Sequence, residues 1–286
     1  MIRALLRKGD GSPGGRHWLD SVVMHLQRGL IQAGHPMDAD GWFGAGTERG
    51  LKAFQQGHAL PASGAADRPL WGALAPHLEA ALGAAQRETA QLLPGYAGDL
   101  EWVHAREGHR GRPYWPGGDS GVTLDPGFDL GHADPALFRR LYQPVLGADG
   151  MRAAERTLGK KGAEANAALR ADPALQAIRI GAAQAYVLMP HAARTYWRYI
   201  AERFSALSRP EAPPSVQTAL LSLAYNRGAG NEALDVLAGP LREGDWAGAA
   251  DLIGRMQQDH DLPGIRERRR WEADLIRAEL EFLEQA

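Results

Sequence analysis

The stretch Gly117-Gly118-Asp119-Ser120-Gly121-Val122-Thr123-Leu124-Asp125-Pro126-Gly127-Phe128-Asp129-Leu130-Gly131-His132 decides the fold class. Its glycines and its proline break the chain into short runs, Val-Thr-Leu and Phe-Asp-Leu, too brief for helices. That pattern reads as a small hairpin or loop region. On either side the apolar residues return to helical spacing, with helices expected at about 135–145, 149–158, 162–170, 173–188, 190–206, 215–226, 231–238, 245–257 and 265–284. The expected fold is therefore mainly α (α+β): a helical domain that carries one small hairpin region.

Working upstream, Asp99-Leu100-Glu101-Trp102-Val103-His104-Ala105-Arg106-Glu107-Gly108 reads as a short helix, capped by Asp99 and left through Gly108. Glu107 falls in its last turn. The negative end of the helix dipole disfavours a further negative charge there, which suits a proton donor. A surface glutamate in an unfavourable place is the plainer reading, and the local sequence does not choose between them. Residues 76–94 are rich in Ala, Leu, Glu and Gln, and Pro76 suits a first helical turn. This segment is expected to be a linker helix stopped by Pro94-Gly95, between a domain at 1–75 and a domain at 95–286.

Within residues 1–75, Leu19, Val22, Val23, Leu26 and Leu30 form an amphipathic stripe ended by Gly34. A second helix is expected from an N-cap at Thr47, with Leu51 and Phe54 on one face. A third short helix, Pro69 to Ala75, supplies Leu70, Trp71 and Leu74. Three such helices enclose a small core. Between the first two lies Asp40-Gly41-Trp42-Phe43-Gly44, where Trp42 either packs or stacks on a sugar face.

Composition narrows the chemistry. The chain has 286 residues, 32 Lys+Arg, 34 Asp+Glu, a net charge of −2 and no cysteine. Disulfides, thiol nucleophiles and Cys-ligated metals are excluded, and a nucleic-acid binder is not the expected class. No apolar run approaches the roughly 18 residues of a membrane span. The opening residues lack the apolar core of a secretory signal. No His-Glu-x-x-His ligand set occurs, so no metal and no cofactor are expected. What remains for catalysis is carboxylates and hydroxyls: Glu107, Asp119, Thr123, Asp125 and Asp129. A protonated and an ionised carboxylate flanking a bond are what glycoside hydrolysis needs, and a Thr hydroxyl can hold the water.

Two resemblances sharpen this reading. Val23-x-x-Leu26-Gln27-x-x-Leu30, Gly34, Asp40-Gly41-x-Phe43-Gly44-x-x-Thr47, Phe54-Gln55, Leu60, Gly64, Asp67, Leu70-Trp71 and Leu74 together resemble the peptidoglycan-binding domain type 1 family over about residues 16–75. Glu107-Gly108, Tyr114, Ser120-Gly121-Val122-Thr123 and Gly127-Phe128-Asp129-Leu130-Gly131 resemble the catalytic segment of pesticin-type toxins, relatives of the phage-type lysozymes of glycoside hydrolase family 24. Ala219 through Gly228, with Asn226, is similar to a lysozyme helix. So is Gly264-Ile265-x-x-Arg268-Arg269-Arg270-x-Glu272.

The second resemblance implies Glu107 as general acid, Thr123 as the residue that positions water, and Asp129 as the second carboxylate. Asp119 is the alternative, because ordinary phage lysozymes place their Asp before the Thr. Tyr114 lines the cleft or closes the hairpin, and Asn226 supports the cleft or ends its helix. The implied function is a muramidase, cleaving the β-1,4 bond between N-acetylmuramic acid and N-acetylglucosamine with inversion. Peptidoglycan is the implied partner and a monomer the expected state, with no nucleic acid and no membrane insertion. The expected setting is a phage or prophage endolysin, made in the cytoplasm and acting in the periplasm after release through a holin pore. A secretion-delivered antibacterial effector and a non-catalytic wall-binding phage protein are the alternatives.

Overall fold

Val22, Val23, Leu26 and Leu30 are all fully buried and form the inner face of α1 (Asp20–Gln32). A second helix, α2 (Ala45–Gly57), buries Leu51 and Phe54. Thr47 is not its N-cap: Gly44 takes that position, and Thr47 lies inside the helix with its hydroxyl buried against Gln27 at 3.0 Å. The third helix, α3 (Arg68–Leu92), corrects the sequence reading more deeply. It is one helix through Pro76, so neither a short helix ending at Ala75 nor a separate linker helix exists. The apolar stripe explains the continuity. Leu70, Trp71, Leu74, Leu78 and Leu82 are buried at helical spacing on both sides of the proline. Pro76 and Gly72, whose carbonyl the proline leaves unbonded, are exposed, so water can satisfy that carbonyl. Asp67 caps the helix through Leu70 N at 3.1 Å. Gly29 of α1 lets α3 approach closely, since a Cβ there would stand 2.9 Å from Leu74 and Leu78.

The computed structural model describes residues 1–284. They form two compact units, one made of 1–106 with the segment from 194 onward, the other of 107–193. The residues expected to form one domain at 95–286 are thus shared between them. The reason lies in α4 (Leu100–Glu107) and the turn before it. Arg28 of α1 forks onto Glu101 at 2.7 and 2.8 Å. Trp102 Nε1 donates to Trp18 O at 2.7 Å. Arg106 pairs with Asp20 at 2.8 Å and stacks over the Trp102 ring at 4.3 Å. Asp99 caps α4 as expected, accepting from Trp102 N at 3.0 Å. Glu101 is largely buried, which alone would raise its pKa, but hydrogen bonds from His25 and Arg28 hold it down at about 2.

In the unit 107–193 the hairpin strands β1 (Thr123–Leu124) and β2 (Phe128–Asp129) precede α5 (Pro135–Tyr142), α6 (Ala148–Glu155), α7 (Gly162–Ala171) and α8 (Pro173–Gln176). Val122, Leu124 and Leu130 bury into the same core as Phe138, Tyr142 and Ile178. The next helix, α9 (Ala182–Arg203), contains Pro190 in its interior, where two helices, 173–188 and 190–206, were expected.

The remaining elements, α10 (Pro214–Arg227), α11 (Ala238–Glu243), α12 (Trp246–Arg255) and α13 (Pro263–Glu284), complete the first unit. Helix α10 is buried on every side. Two of its polar side chains hold the segment leading into α4: Gln217 accepts from Ala97 N at 2.6 Å and Thr218 from Asp99 N at 2.8 Å. Against it, α13 presents Arg268, Arg269 and Glu272, all buried and joined to one another and to Ser222. The architecture is mainly α with a single small antiparallel ladder among the described residues. No helix is long and apolar enough to cross a membrane.

Candidate active site

Three of the residues singled out in the sequence fall into one row. In the ladder Thr123 lies directly opposite Asp129, and Leu124 opposite Phe128. On its other edge Thr123 bridges Tyr114, exchanging hydrogen bonds of 3.1 and 2.7 Å with it. Residues directly opposite in antiparallel pairing present their side chains on one face. Tyr114, Thr123 and Asp129 therefore share a face. The Thr123–Asp129 pair is of the non-hydrogen-bonded kind, because the neighbouring Leu130 N donates to Val122 O at 2.9 Å. Side chains of such pairs stand closest together. The turn between the strands is closed by Gly127 N donating to Leu124 O at 2.9 Å, and Gly127 has a φ of +96°.

Asp129 is held by backbone. Its Oδ1 accepts from Gly121 N at 2.9 Å and Gly131 N at 2.8 Å, and Oδ2 accepts no hydrogen bond from the described residues. Only glycine permits this seat. A Cβ on Gly121 would come within 2.1 Å of Gly131 N and 2.5 Å of Asp129 Oδ1. Thr123 is buried, and its hydroxyl donates a long bond of 3.4 Å to Gly121 O. One carboxylate oxygen is thus anchored, the other is available, and a hydroxyl stands beside them.

Glu107 is the half-buried last residue of α4, and Gly108 takes the left-handed exit at φ +74°. The loop that follows is tied to the hairpin by Asp125, one of the carboxylates picked out in the sequence. Asp125 is buried. Its Oδ2 accepts from Gly111 N at 2.5 Å and lies 3.1 Å from His109 Nδ1. Its carbonyl accepts from Tyr142 Oη at 2.8 Å. Burial, with the Asp125 charge nearby, pushes the Tyr142 phenol up, so it stays a donor. The sequence signal was present in Asp125-Pro126-Gly127, but nothing local says that a turn aspartate reaches back to Gly111.

The other named residues are not members of this row. Asp119 sits exposed in the preceding turn, with its carbonyl 3.1 Å from His132 Nε2. Asn226 belongs to the last turn of α10 in the other unit, and its Oδ1 is buried without a partner among the described residues. Trp42 is 56% exposed on the Asp40–Gly44 loop. That loop is held by buried Gln27, which donates to Asp40 and Trp42 O at 2.8 and 3.0 Å and accepts from Gly41 N at 2.9 Å. His109 and Asp125 do not extend into a metal site, and no three His, Asp or Glu side chains cluster as ligands among the described residues.

Comparison with known proteins bears mainly on the first helices. Residues 20–74 match the family model described as "Putative peptidoglycan binding domain". None of the curated proteins matches the chain. Among solved structures, the chain aligns with the crystal structure of the Burkholderia AP3 phage endolysin at 19% identity. That alignment covers 98% of this chain and 99% of that one, with a TM-score of 0.21, a likeness too loose to bear on fold or function. The family match spans α1, α2 and the first turns of α3, the three-helix segment that carries the exposed Trp42.

Proposed function

We propose that this protein is a peptidoglycan hydrolase of the muramidase type, in which residues 20–74 bind the wall and Glu107, Thr123 and Asp129 cut it. The observation that carries the reading is the direct pairing of Thr123 with Asp129 in the same compact unit that Glu107 begins. The peptidoglycan-binding family match supports the substrate class.

The chemistry follows from the three side chains. Glu107 donates its proton to the glycosidic oxygen as the bond to the leaving sugar breaks. Asp129, with Oδ1 fixed by Gly121 and Gly131, directs Oδ2 to a water and takes its proton. The Thr123 hydroxyl accepts from or donates to that same water and fixes its line of attack. Displacement by a water held on the opposite face from the acid inverts the anomeric carbon and needs about 6.5–9.5 Å between the carboxyl groups. Trp42 supplies a flat apolar face for a sugar ring, on a loop already held rigid by Gln27.

The test is product chemistry. Purified wall digested with the protein and analysed by mass spectrometry should yield muropeptides with new reducing N-acetylmuramic acid ends. New free amines without reducing ends would make the enzyme an amidase or peptidase and overturn the reading.

A further inference from the structure

The unit 107–193 contains a groove of about 810 Å³ whose charge the proposed chemistry does not use. Its lining includes Arg110, Arg112, Tyr114, Asn166, Arg170 and Arg179. Three chain segments bring these residues together, and backbone bonds hold the segments. Ile180 N donates to Gly111 O at 3.1 Å, which joins the segment holding Arg179 to the Arg110–Arg112 loop. Gln176 Nε2 donates to Leu169 O and Arg170 O at 2.9 Å each, which joins α8 to the end of α7.

The groove arginines differ from three of the four others in the same unit, Arg140 being the exception. Arg139, Arg152 and Arg156 each pair with a carboxylate: Glu155, Asp149 and Asp172. Among the described residues none of the four groove arginines does. Two are nonetheless positioned. Arg110 lies over the Tyr114 ring at 4.1 Å, and Arg179 donates to Gln176 O and Ile178 O, both at 2.7 Å. Four like charges converging without an anion repel one another, and a guanidinium fork matches a carboxylate in shape and charge.

We propose that this groove binds the carboxylates of the acidic peptide stems that branch from the wall glycan. This rests on the muramidase reading for its substrate, and two observations select the occupant. Four guanidinium groups line the groove, more than one carboxylate can pair with, so the ligand carries several. Tyr114 belongs both to the groove and to the row with Thr123 and Asp129, so an occupant of the groove begins one strand away from the candidate catalytic pair. A peptide attached to the sugar being cleaved meets both conditions.

The experiment measures binding of the full-length protein to a purified stem peptide with free carboxylates and to the same peptide fully amidated. Wild type should bind the free acid about tenfold more tightly, with affinity falling as salt rises. The double variant Arg112→Ala/Arg170→Ala removes two exposed side chains that make no hydrogen bond or ion pair among the described residues, and it should abolish the difference. Arg140→Ala, which removes one charge elsewhere in the unit, should retain it. Equal affinity for the two peptides, or a double variant that still discriminates, overturns the proposal. Equally tight binding of an unrelated acidic peptide also overturns it, and points to an acidic protein partner. Binding is read without turnover. A protein that discriminates the peptides but leaves the glycan uncut refutes the muramidase reading alone, and one that cuts the glycan without discriminating refutes the groove alone.

Discussion

Thr123 and Asp129 face each other across a ladder only two residues long, and each reaches the same glycine: the Thr123 hydroxyl bonds to Gly121 O and Asp129 Oδ1 to Gly121 N. The pair is therefore one construction, with Gly121 as its seat. Replacing Gly121 by Ala sets a methyl carbon against Gly131 N, a backbone atom that cannot swing away. The expected cost is about 1–3 kcal/mol, which corresponds to a fall in Tm of several degrees, with loss of wall hydrolysis. Gly72→Ala, at an exposed position inside α3 where a Cβ meets nothing within 4 Å, is the matched control and should not lower Tm.

Asp125 is a positioning residue for the loop that follows Glu107. In Asp125→Ala, Gly111 N and His109 lose their buried acceptor. Hydrogen bonds to a charged group are worth about 1.5–3 kcal/mol each. The variant should be destabilised by about 2–3 kcal/mol in denaturant melts and should lose kcat more than KM. Asp125→Asn keeps an acceptor for Gly111 and should recover most of both.

The pH dependence of stability carries a signature of Glu101. Its folded-state pKa of about 2 lies below the ordinary value of 4.5. The unfolded chain takes up this proton first as pH falls. The stabilisation, about 3 kcal/mol, is thus whole above pH 4.5 and disappears as pH falls through about 2. Glu101→Gln should show lower stability than wild type at neutral pH and a smaller loss between those two values. A wild-type Tm that is flat over that interval would contradict this account of the Arg28–Glu101 link.

Trp42 tests the wall-binding segment separately. It is exposed and its ring has no aromatic or cation–π partner among the described residues, so Trp42→Ala should leave Tm within about one degree. Retention on pelleted peptidoglycan should fall about tenfold if the ring stacks on sugar. Gln27→Leu, by contrast, removes the bonds that hold the loop and leaves Gly41 N without its acceptor, and it should lower both Tm and retention.

Much of this arrangement was legible in the sequence, and the exceptions have physical reasons. Local signals sufficed where one side chain acts on its own neighbours: Asp99 as a cap, Gly108 as an exit, and the hairpin around Asp125-Pro126-Gly127. Proline misled twice, at Pro76 and Pro190, because apolar residues buried at helical spacing on both sides outweigh one lost helix bond. The division at residues 75 and 95 missed the link through Arg28, Glu101, Trp102 and Arg106, since ion pairs between residues 73 or 86 positions apart leave no local trace. The same holds for Asp125 and for the arginine groove, whose members come from three segments that only the folded backbone joins.

The central claim is that Glu107 supplies the proton that cleaves the glycan. The most direct measurement is the release of reducing ends from purified peptidoglycan by wild type and by Glu107→Gln, a change that keeps size and hydrogen-bonding ability but removes the proton donor. The account predicts a loss of at least about a hundredfold in release rate, with Tm and retention on pelleted wall unchanged. Release at or near the wild-type rate by a folded Glu107→Gln would contradict it.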